Sequence, residues 1–347
     1  MIKPIYLDYN GTTPHDPEVI EAMLPYLETE FGNPSSSHWY GIVPKRAVEN
    51  ARKQVAKLIN CESEDVLFTS GGTESNNHAI RGIARARCDK GNHIITSAFE
   101  HPAVLEVCQY LKGAGFETTY LPVDSDGMVD PDMVKQAIRP ETILITIMHA
   151  NNEVGTVQPI AEISAIARSR GIVMHTDAAQ SVGKIPANVQ DLGVDLLSVA
   201  GHKVYAPKGI GALYVRPPLE PEKFCYGAGQ EMGRRAGTEN VLEIVGLGKA
   251  CEIAERDLGK SMSRMKFLRD RLHEGLLGRL HGIRLNGHID NRLPNTLNLS
   301  FNNLEANRIL EEIGLEVAAS AGAACHSDTI ELSHVLEAMG VPIEWAK

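Results

Sequence analysis

Residues 172–203 read IVMHTDAAQSVGKIPANVQDLGVDLLSVAGHK, and this stretch holds the pattern that decides the fold. Two short apolar runs, at residues 172–175 and 196–200, predict two buried strands. Polar residues follow each run, at 177–180 after the first and at 201–203 after the second. Because ligands of open α/β sheets bind beyond the carboxyl ends of the strands, we expect both polar segments to face one crevice.

The same pattern repeats between residues 50 and 215. Short runs rich in β-branched residues alternate there with helical patterns, which is typical of a mostly parallel sheet wrapped by helices. The predicted strands lie at residues 66–69, 93–97, 118–123, 143–149, 172–175, 196–200 and 211–215. Five of these strands end in polar clusters. One polar cluster is most simply a turn, but five together favour a binding crevice.

A second, smaller domain is predicted after a long helical pattern at residues 239–280. Strand patterns at 297–301 and 316–319 and the helical pattern between them indicate an α+β unit, which the extended N-terminal residues are expected to join. The predicted division is a large α/β domain at 15–258 and a small α+β domain formed by 1–14 and 259–347.

Composition excludes several classes of protein. The chain has 347 residues, 43% of them hydrophobic and 22% charged, as in ordinary soluble globular proteins. A formal net charge of −10 disfavours nucleic acid and anionic membranes as partners. No apolar run is long enough to span a bilayer, and no secretory signal is visible at the N-terminus. Six scattered cysteines without a C-x-x-C pair argue against a metal site and favour reduced thiols in the cytoplasm.

A phosphate site is predicted at Gly71-Gly72-Thr73. Glycines before a helix expose backbone N–H groups at the positive end of the helix dipole, which suits an anion, and the Thr73 hydroxyl adds a donor. The segment lacks the G-K-[ST] ending of a Walker loop. Strand–Gly–Gly–helix turns are common, so an ordinary turn stays the alternative.

Asp177 and Lys203 are the residue types that pyridoxal-5′-phosphate (PLP) requires. A lysine amine forms a Schiff base with the aldehyde, and a carboxylate keeps the pyridine nitrogen protonated so that the ring can store electrons. His101, also at a strand end, could stack on the ring and move protons. Taken singly, the three are more simply a solvated lysine, a helix N-cap and an ordinary hydrogen-bonded histidine.

Cys325 is the candidate nucleophile. It lies in the segment SAGAACHSD at 320–328, where small residues predict a loop and His326 is adjacent. A cysteine on a wet loop beside a histidine could act as a thiolate. The alternative is a small buried cysteine, the usual state of a free thiol.

Together these residues resemble the NifS-type cysteine desulfurases and selenocysteine lyases of the class V aminotransferase group. The resemblance runs from Leu7 to about His334. The segments that carry it are YNGTTP (9–14), GNPSS (32–36), TSGGTESNN (69–77), NNEVG (151–155), HTDAAQ (175–180), GHK (201–203) and RAGTEN (235–240). Their number and common order make the resemblance specific.

The resemblance implies fold type I of the PLP-dependent transferases, the aspartate-aminotransferase-like fold, with a mostly parallel seven-stranded sheet and a smaller α+β domain. It implies a cytoplasmic homodimer that converts L-cysteine to L-alanine, leaves a persulfide on Cys325 and passes the sulfur to an acceptor protein, for instance for iron–sulfur clusters. The alternatives are a selenocysteine lyase acting on L-selenocysteine, a transaminase of the same fold, and a catalytically impaired PLP-binding scaffold. A transaminase would have no use for Cys325.

The resemblance also implies roles for individual residues. Lys203 would carry PLP, Asp177 would pair with the pyridine nitrogen, and Gln180 would bond the phenolic oxygen. His101 would stack on the ring and act as acid and base, and Asn152 would lie against the ring or the substrate carboxylate. The phosphate would be held by Gly72, Thr73, His202 and Thr238, the last from the other subunit.

Two departures from the family pattern stand out. Ala200 replaces a serine whose hydroxyl usually binds the phosphate in this family. The residues around Cys325 resemble those of the selenocysteine lyases more than those of the desulfurases. The sequence ends at Lys347, before the arginine with which the family binds the substrate carboxylate. That missing arginine motivates the scaffold alternative.

Overall fold

The fold is taken from a computed structural model, which describes residues 3–321 and 332–346. The strands are β1 (Ile5–Tyr6), β2 (Val66–Thr69), β3 (His93–Ser97), β4 (Glu117–Leu121), β5 (Thr142–Thr146), β6 (Val173–Asp177), β7 (Leu196–Ala200), β8 (Gly211–Val215), β9 (Ile283–Asn286), β10 (Asn298–Phe301) and β11 (Val317–Ala318). The helices are α1 (Pro17–Glu28), α2 (Trp39–Ile59), α3 (Gly72–Ala86), α4 (Pro102–Gly113), α5 (Pro131–Ala137), α6 (Ile160–Ser169), α7 (Val189–Leu192), α8 (Val241–Leu277), α9 (Ala306–Ile313), α10 (His334–Ala338) and α11 (Ile343–Ala346).

The central sheet has seven strands in the order β2-β8-β7-β6-β5-β3-β4. Strands β3 to β7 pair in parallel, whereas β8 runs antiparallel to both β2 and β7. This confirms the predicted mostly parallel seven-stranded α/β sheet.

Some strand boundaries differ from the predicted ones. The predicted strand at 143–149 ends at Thr146 in the structure. Ile147 and His149 nevertheless still donate hydrogen bonds to backbone oxygens of β6, at 3.2 and 2.9 Å. The apolar run is thus longer than the regular strand because the chain stays beside β6 after the regular ladder ends.

Both faces of the sheet are covered, as the unbroken apolar runs require. Every residue of β5, β6 and β7 is buried. Their side chains alternate between two apolar layers: Leu144, for example, packs with α3 and α4, and Ile145 packs with α2, α6 and α8. A sheet closed on both faces leaves the strand ends as the places where polar side chains meet solvent.

Helix α8 leads away from the sheet as one continuous helix, with Gly259 inside it. It packs closely on α2 near Gly248, where an added Cβ would lie 2.6 Å from the Cα of Ala51. Beyond α8, β9 and β10 form an antiparallel pair, and β1 pairs in parallel with β11, which joins the N-terminal residues to this part. The predicted boundary at 258 falls within α8, and the division into two domains stays a prediction. Among the residues described, no helix is both long and apolar enough to cross a membrane.

Candidate active site

Three strand ends approach one another at Gly72, the first residue of α3. A Cβ added to Gly72 would lie 3.1 Å from the Cβ of Ala200 and 3.8 Å from that of Ala179. Ala200 ends β7 and Ala179 follows β6. The glycine turn therefore lies against the segments that carry Asp177 and Lys203, and a larger side chain at Gly72 would crowd this junction.

The Asp177 carboxylate is buried and held from two sides. Its Oδ2 accepts a hydrogen bond from Nδ2 of Asn76 at 2.6 Å, and its Oδ1 accepts one from the backbone N–H of Ala179 at 2.9 Å. Asn76 lies in α3, one turn after Gly72. Asn76 belongs to the motif TSGGTESNN, from which no role could be predicted for it. Its spacing of four residues from Gly72 is the signal that could have placed it on the same helix face.

The Lys203 amine lies against the N-terminal segment. Its Nζ donates to the backbone oxygens of Asn10 and Gly11, the latter at 2.8 Å. Burial lowers the pKa of Lys203, while the carboxylates of Asp8 and Asp177 oppose this effect. A lowered pKa increases the fraction of free amine at a given pH, and the free amine is the form that reacts with an aldehyde.

His101 is exposed and caps α4. Its Nδ1 accepts a hydrogen bond from the backbone N–H of Ala103 at 3.0 Å, so the neutral ring carries its proton on Nε2. Partial desolvation lowers the pKa of His101; Asp177 opposes this shift, and the cation of Lys203 adds to it. The pKa of His101 thus responds to Asp177 and Lys203, the two groups that the sequence pattern predicts to face one crevice with it.

Asn10 connects the parts of this crevice and was not singled out from the sequence. Its backbone oxygen accepts from Lys203 and also from Nε2 of Gln180, at 2.9 Å. Its side-chain Nδ2 donates to the backbone oxygen of Asn152 at 3.1 Å and to Oγ1 of Thr296 at 2.9 Å. The N-terminal segment thus bridges the sheet edge and the residues that precede β10.

His202 is tied to the same N-terminal segment. Its Nδ1 lies 3.2 Å from Oγ1 of Thr12, and its backbone oxygen accepts from the N–H and the hydroxyl of Thr13, both at 3.0 Å. Burial and several nearby cations, first among them Lys203, lower the pKa of His202 to about 4. At neutral pH the ring is therefore uncharged and would meet a phosphate through an N–H rather than through an ion pair.

Two of the remaining predicted site residues, Thr73 and Thr238, lie at the surface. Thr73 is exposed on the first turn of α3, and Thr238 is exposed shortly before α8. An ion pair between Arg235 and Glu74, with 2.9 Å between Nε and Oε1, holds the segment before Thr238 against α3. Cys325 lies outside the described residues.

The crevice suits PLP by the chemistry of its groups. A partly desolvated amine, a fixed carboxylate and a glycine turn at a helix N-terminus match the aldehyde, the pyridine nitrogen and the phosphate. The buried Oδ1 of Asn152 lacks a hydrogen-bond partner within the described part of the chain, so a bound ligand could satisfy it. In residues 3–321 and 332–346 no group of three or more His, Cys, Asp or Glu side chains could hold a metal ion.

Comparison with known proteins gives a consistent result. Residues 5–340 match the protein family described as Aminotransferase class-V. The chain is 53% identical over 347 residues to a cysteine desulfurase IscS of Dictyoglomus turgidum, covering 100% of this chain and 88% of that protein. A solved structure called NifS-like protein superposes with a TM-score of 0.91 at 36% identity, covering 99% of this chain and 92% of the other. A structure titled SspA in complex with cysteine superposes with a TM-score of 0.88 at 39% identity, covering 99% of this chain and 96% of the other.

The crevice makes a prediction for the cofactor-free protein. We expect Lys203→Met to raise the pKa of His101, because a nearby cation is removed, and Asp177→Asn to lower it, because an anion is removed. Titration of the imidazole signals by NMR measures both, with assignment by His101→Gln. The exposed His281 serves as the control ring and should not respond. A His101 signal that is indifferent to both changes would contradict the shared crevice.

Proposed function

The chain belongs to the class V aminotransferases and, within them, to the NifS/IscS-type cysteine desulfurases, and from this premise we propose how its own residues take sulfur from L-cysteine. The resemblance predicted from the sequence motifs is thereby confirmed. The observation that supports the proposal is that Nζ of Lys203 and Nε2 of Gln180, three residues after Asp177, donate to the same backbone oxygen of Asn10. The products are L-alanine and an enzyme-bound persulfide.

PLP, when bound, supplies an electron-withdrawing ring that stabilises negative charge on the α-carbon of an amino acid. Lys203 would hold the aldehyde, Asp177 the pyridine nitrogen and Gln180 the phenolic oxygen. The phosphate would be held by Gly72, Thr73, His202 and the partner subunit's Thr238. The bare backbone of the Gly71-Gly72 turn and the uncharged ring of His202 support this assignment.

Proton transfer falls to Lys203 and His101. Burial lowers the pKa of Lys203 and so increases the share of free amine available to accept a proton from the α-carbon. His101 is held at Nδ1, which leaves Nε2 to release and take back a proton. Asn152 would lie against the ring or the substrate carboxylate.

Sulfur transfer is assigned to Cys325. Its thiolate would attack the substrate sulfur, so that an S–S bond forms as the C–S bond breaks. The electron pair of the broken bond stays on the substrate carbon, which is then protonated to give alanine. Delivery to an acceptor protein, for instance for iron–sulfur clusters, would follow from that persulfide. The relative from Dictyoglomus turgidum carries the name cysteine desulfurase, so selenocysteine lyase is not the favoured alternative.

A homodimer is proposed from an exposed apolar surface at the end of α1, the loop after it and the start of α2. The surface is formed by Leu27, Phe31, Trp39 and Tyr40, which are 65%, 77%, 76% and 58% exposed. The rings of Phe31 and Tyr40 stack at 5.5 Å, so the surface is contiguous there. Several large apolar side chains that lie exposed side by side are typical of a protein interface. The resemblance implies that a second copy contributes Thr238 to the phosphate site.

Cytoplasmic location also stays a proposal. It is supported by the five cysteines in the described part of the chain, which are all free thiols, as in a reducing compartment.

Lys203→Ala should abolish covalent retention of PLP and its visible absorbance, because the substitution removes the amine assigned to the Schiff base. Borohydride reduction followed by peptide mass spectrometry should find the label on Lys203 in the unsubstituted protein. Lys208→Ala, an exposed lysine on the same loop, is the control and should keep both properties. Unchanged absorbance in Lys203→Ala would refute the assignment.

Cys325→Ala should lose persulfide formation and alanine release from cysteine by at least about 100-fold, as expected when a nucleophile is removed. PLP binding should persist because Cys325 is not among the proposed cofactor ligands. Cys88→Ala, an exposed thiol, is the matched control. Mass spectrometry of the protein after incubation with cysteine locates the persulfide, and its appearance on another cysteine would contradict the assignment.

Phe31→Asp combined with Trp39→Asp should shift the protein from dimer to monomer, because each aspartate places a charge in the proposed interface. Sedimentation velocity measures the change. Ile289→Asp, at a residue that is 56% exposed between β9 and β10, is the control and should stay dimeric. A monomeric unsubstituted protein would refute the dimer.

A further inference from the structure

Lys184 is a buried amine that the proposed reaction does not use. It lies on the segment after β6, four residues beyond Gln180, and only 4% of it is exposed. Burial, with a further contribution from the cation of Lys203, lowers the pKa of Lys184 to about 7. A fully buried lysine is rare unless it is paired, so its presence beneath the crevice requires an explanation.

The contact of Lys184 fixes the orientation of Gln180. Nζ of Lys184 donates to Oε1 of Gln180 at 2.8 Å. The backbone oxygen of Asn10 on the other side of the amide can only accept, and an ammonium group can only donate, so the Gln180 atom that faces Lys184 is the amide oxygen. The amide nitrogen then points the other way, where it donates to the backbone oxygen of Asn10, the oxygen that also accepts from Lys203. One chain of contacts therefore runs from Lys184 through Gln180 to the crevice.

Lys184 is not explained as part of an ion pair. Within the residues that the structure describes, no carboxylate lies within 4.0 Å of its Nζ. The charged group to which it responds is another cation, that of Lys203. A buried cation without a counter-ion destabilises the fold, and an anion bound in the crevice would offset that penalty.

We propose that Lys184 is a positioning residue for the cofactor, which through Gln180 directs an N–H donor and positive potential at the phenolic oxygen of bound PLP. The inference rests on the proposed function, because Gln180 is the residue assigned to that oxygen. It adds that Gln180 is held as a donor only, which selects the ionised form of the oxygen. Lys184 itself does not touch the cofactor.

The test measures two properties of Lys184→Met: the dissociation constant for PLP, by equilibrium dialysis, and the thermal midpoint of the cofactor-free protein at pH 8. PLP binding should weaken at least about tenfold, the size of one hydrogen bond to a charged group. The thermal midpoint should change little, because the penalty of a buried amine without a counter-ion is removed while Oε1 of Gln180 loses its donor. Lys53→Met, an exposed lysine on α2, should change neither.

A double-substitution cycle shows whether Lys184 acts through Gln180. Gln180→Leu alone should weaken PLP binding, and adding Lys184→Met to it should weaken binding by less than about twofold more, because coupled residues are not additive. Equal losses in both backgrounds would overturn the proposal. So would unchanged PLP affinity in Lys184→Met. A clearly lowered thermal midpoint that accompanies the loss of affinity would also overturn the proposal, because it would indicate a purely structural lysine.

Lys184→Gln replaces the methionine variant if that variant does not fold, because glutamine keeps a polar end without the charge. It should also weaken PLP binding. Wild-type affinity in this variant would overturn the proposal.

Failure of this inference is distinguishable from failure of the proposed function. If the unsubstituted protein retains no PLP, the proposed function is wrong. If it retains PLP and Lys184→Met binds it equally well, only the role of Lys184 is wrong.

Discussion

The hydrogen bond between the Asn76 amide and the Asp177 carboxylate, 2.6 Å long and buried, is the contact around which the crevice is arranged. It joins the helix that begins at the glycine turn to the strand beside the one that leads to Lys203. A buried carboxylate is stable only where donors replace its lost water, and Asn76 and the backbone of Ala179 supply them. The same contact therefore sets the distance between the predicted phosphate turn and the predicted site for the pyridine nitrogen.

The N-terminal segment then closes the crevice from a distant part of the chain. Asn10 accepts from Lys203 and Gln180 with its backbone and reaches Asn152 and Thr296 with its side chain. Residues near the start, middle and end of the chain meet at this one side chain. Movement of the segment that carries Asn10 would change the surroundings of the Lys203 amine directly, so the fold couples the sheet edge to the smaller part through a few polar contacts.

The sheet could be predicted well from the sequence because a strand buried on both faces needs an unbroken apolar run. Such runs are visible in the sequence even when the neighbouring strands are unknown. The sequence pattern also predicted that polar residues at several strand ends would face each other, since parallel order forces this. It did not reveal the roles of Asn10, Asn76 or Lys184, because a long-range hydrogen bond leaves no periodic signal in the chain. In the sequence alone, Lys184 looks like a surface lysine, because nothing there shows that the segment after β6 is buried. The placement of Cys325 relative to the crevice stays a prediction.

The buried titratable groups around the crevice share one tendency. Burial lowers the pKa of His149 to about 4 and that of His175 to about 3, and it raises the pKa of Glu100 to about 8, so all three favour their neutral forms at pH 7. The two imidazoles have hydroxyl partners, Ser181 for His149 and Thr146 for His175, whereas the donors to Glu100, Ser97 and the backbone of Met148, oppose its shift without outweighing burial. Neutral buried groups near Asp177 add no competing charge to an interior of low dielectric. The few charged groups that remain, with Asp177 and Lys203 at the centre, therefore act on each other and on a bound ligand more strongly than they would at an ordinary polar surface.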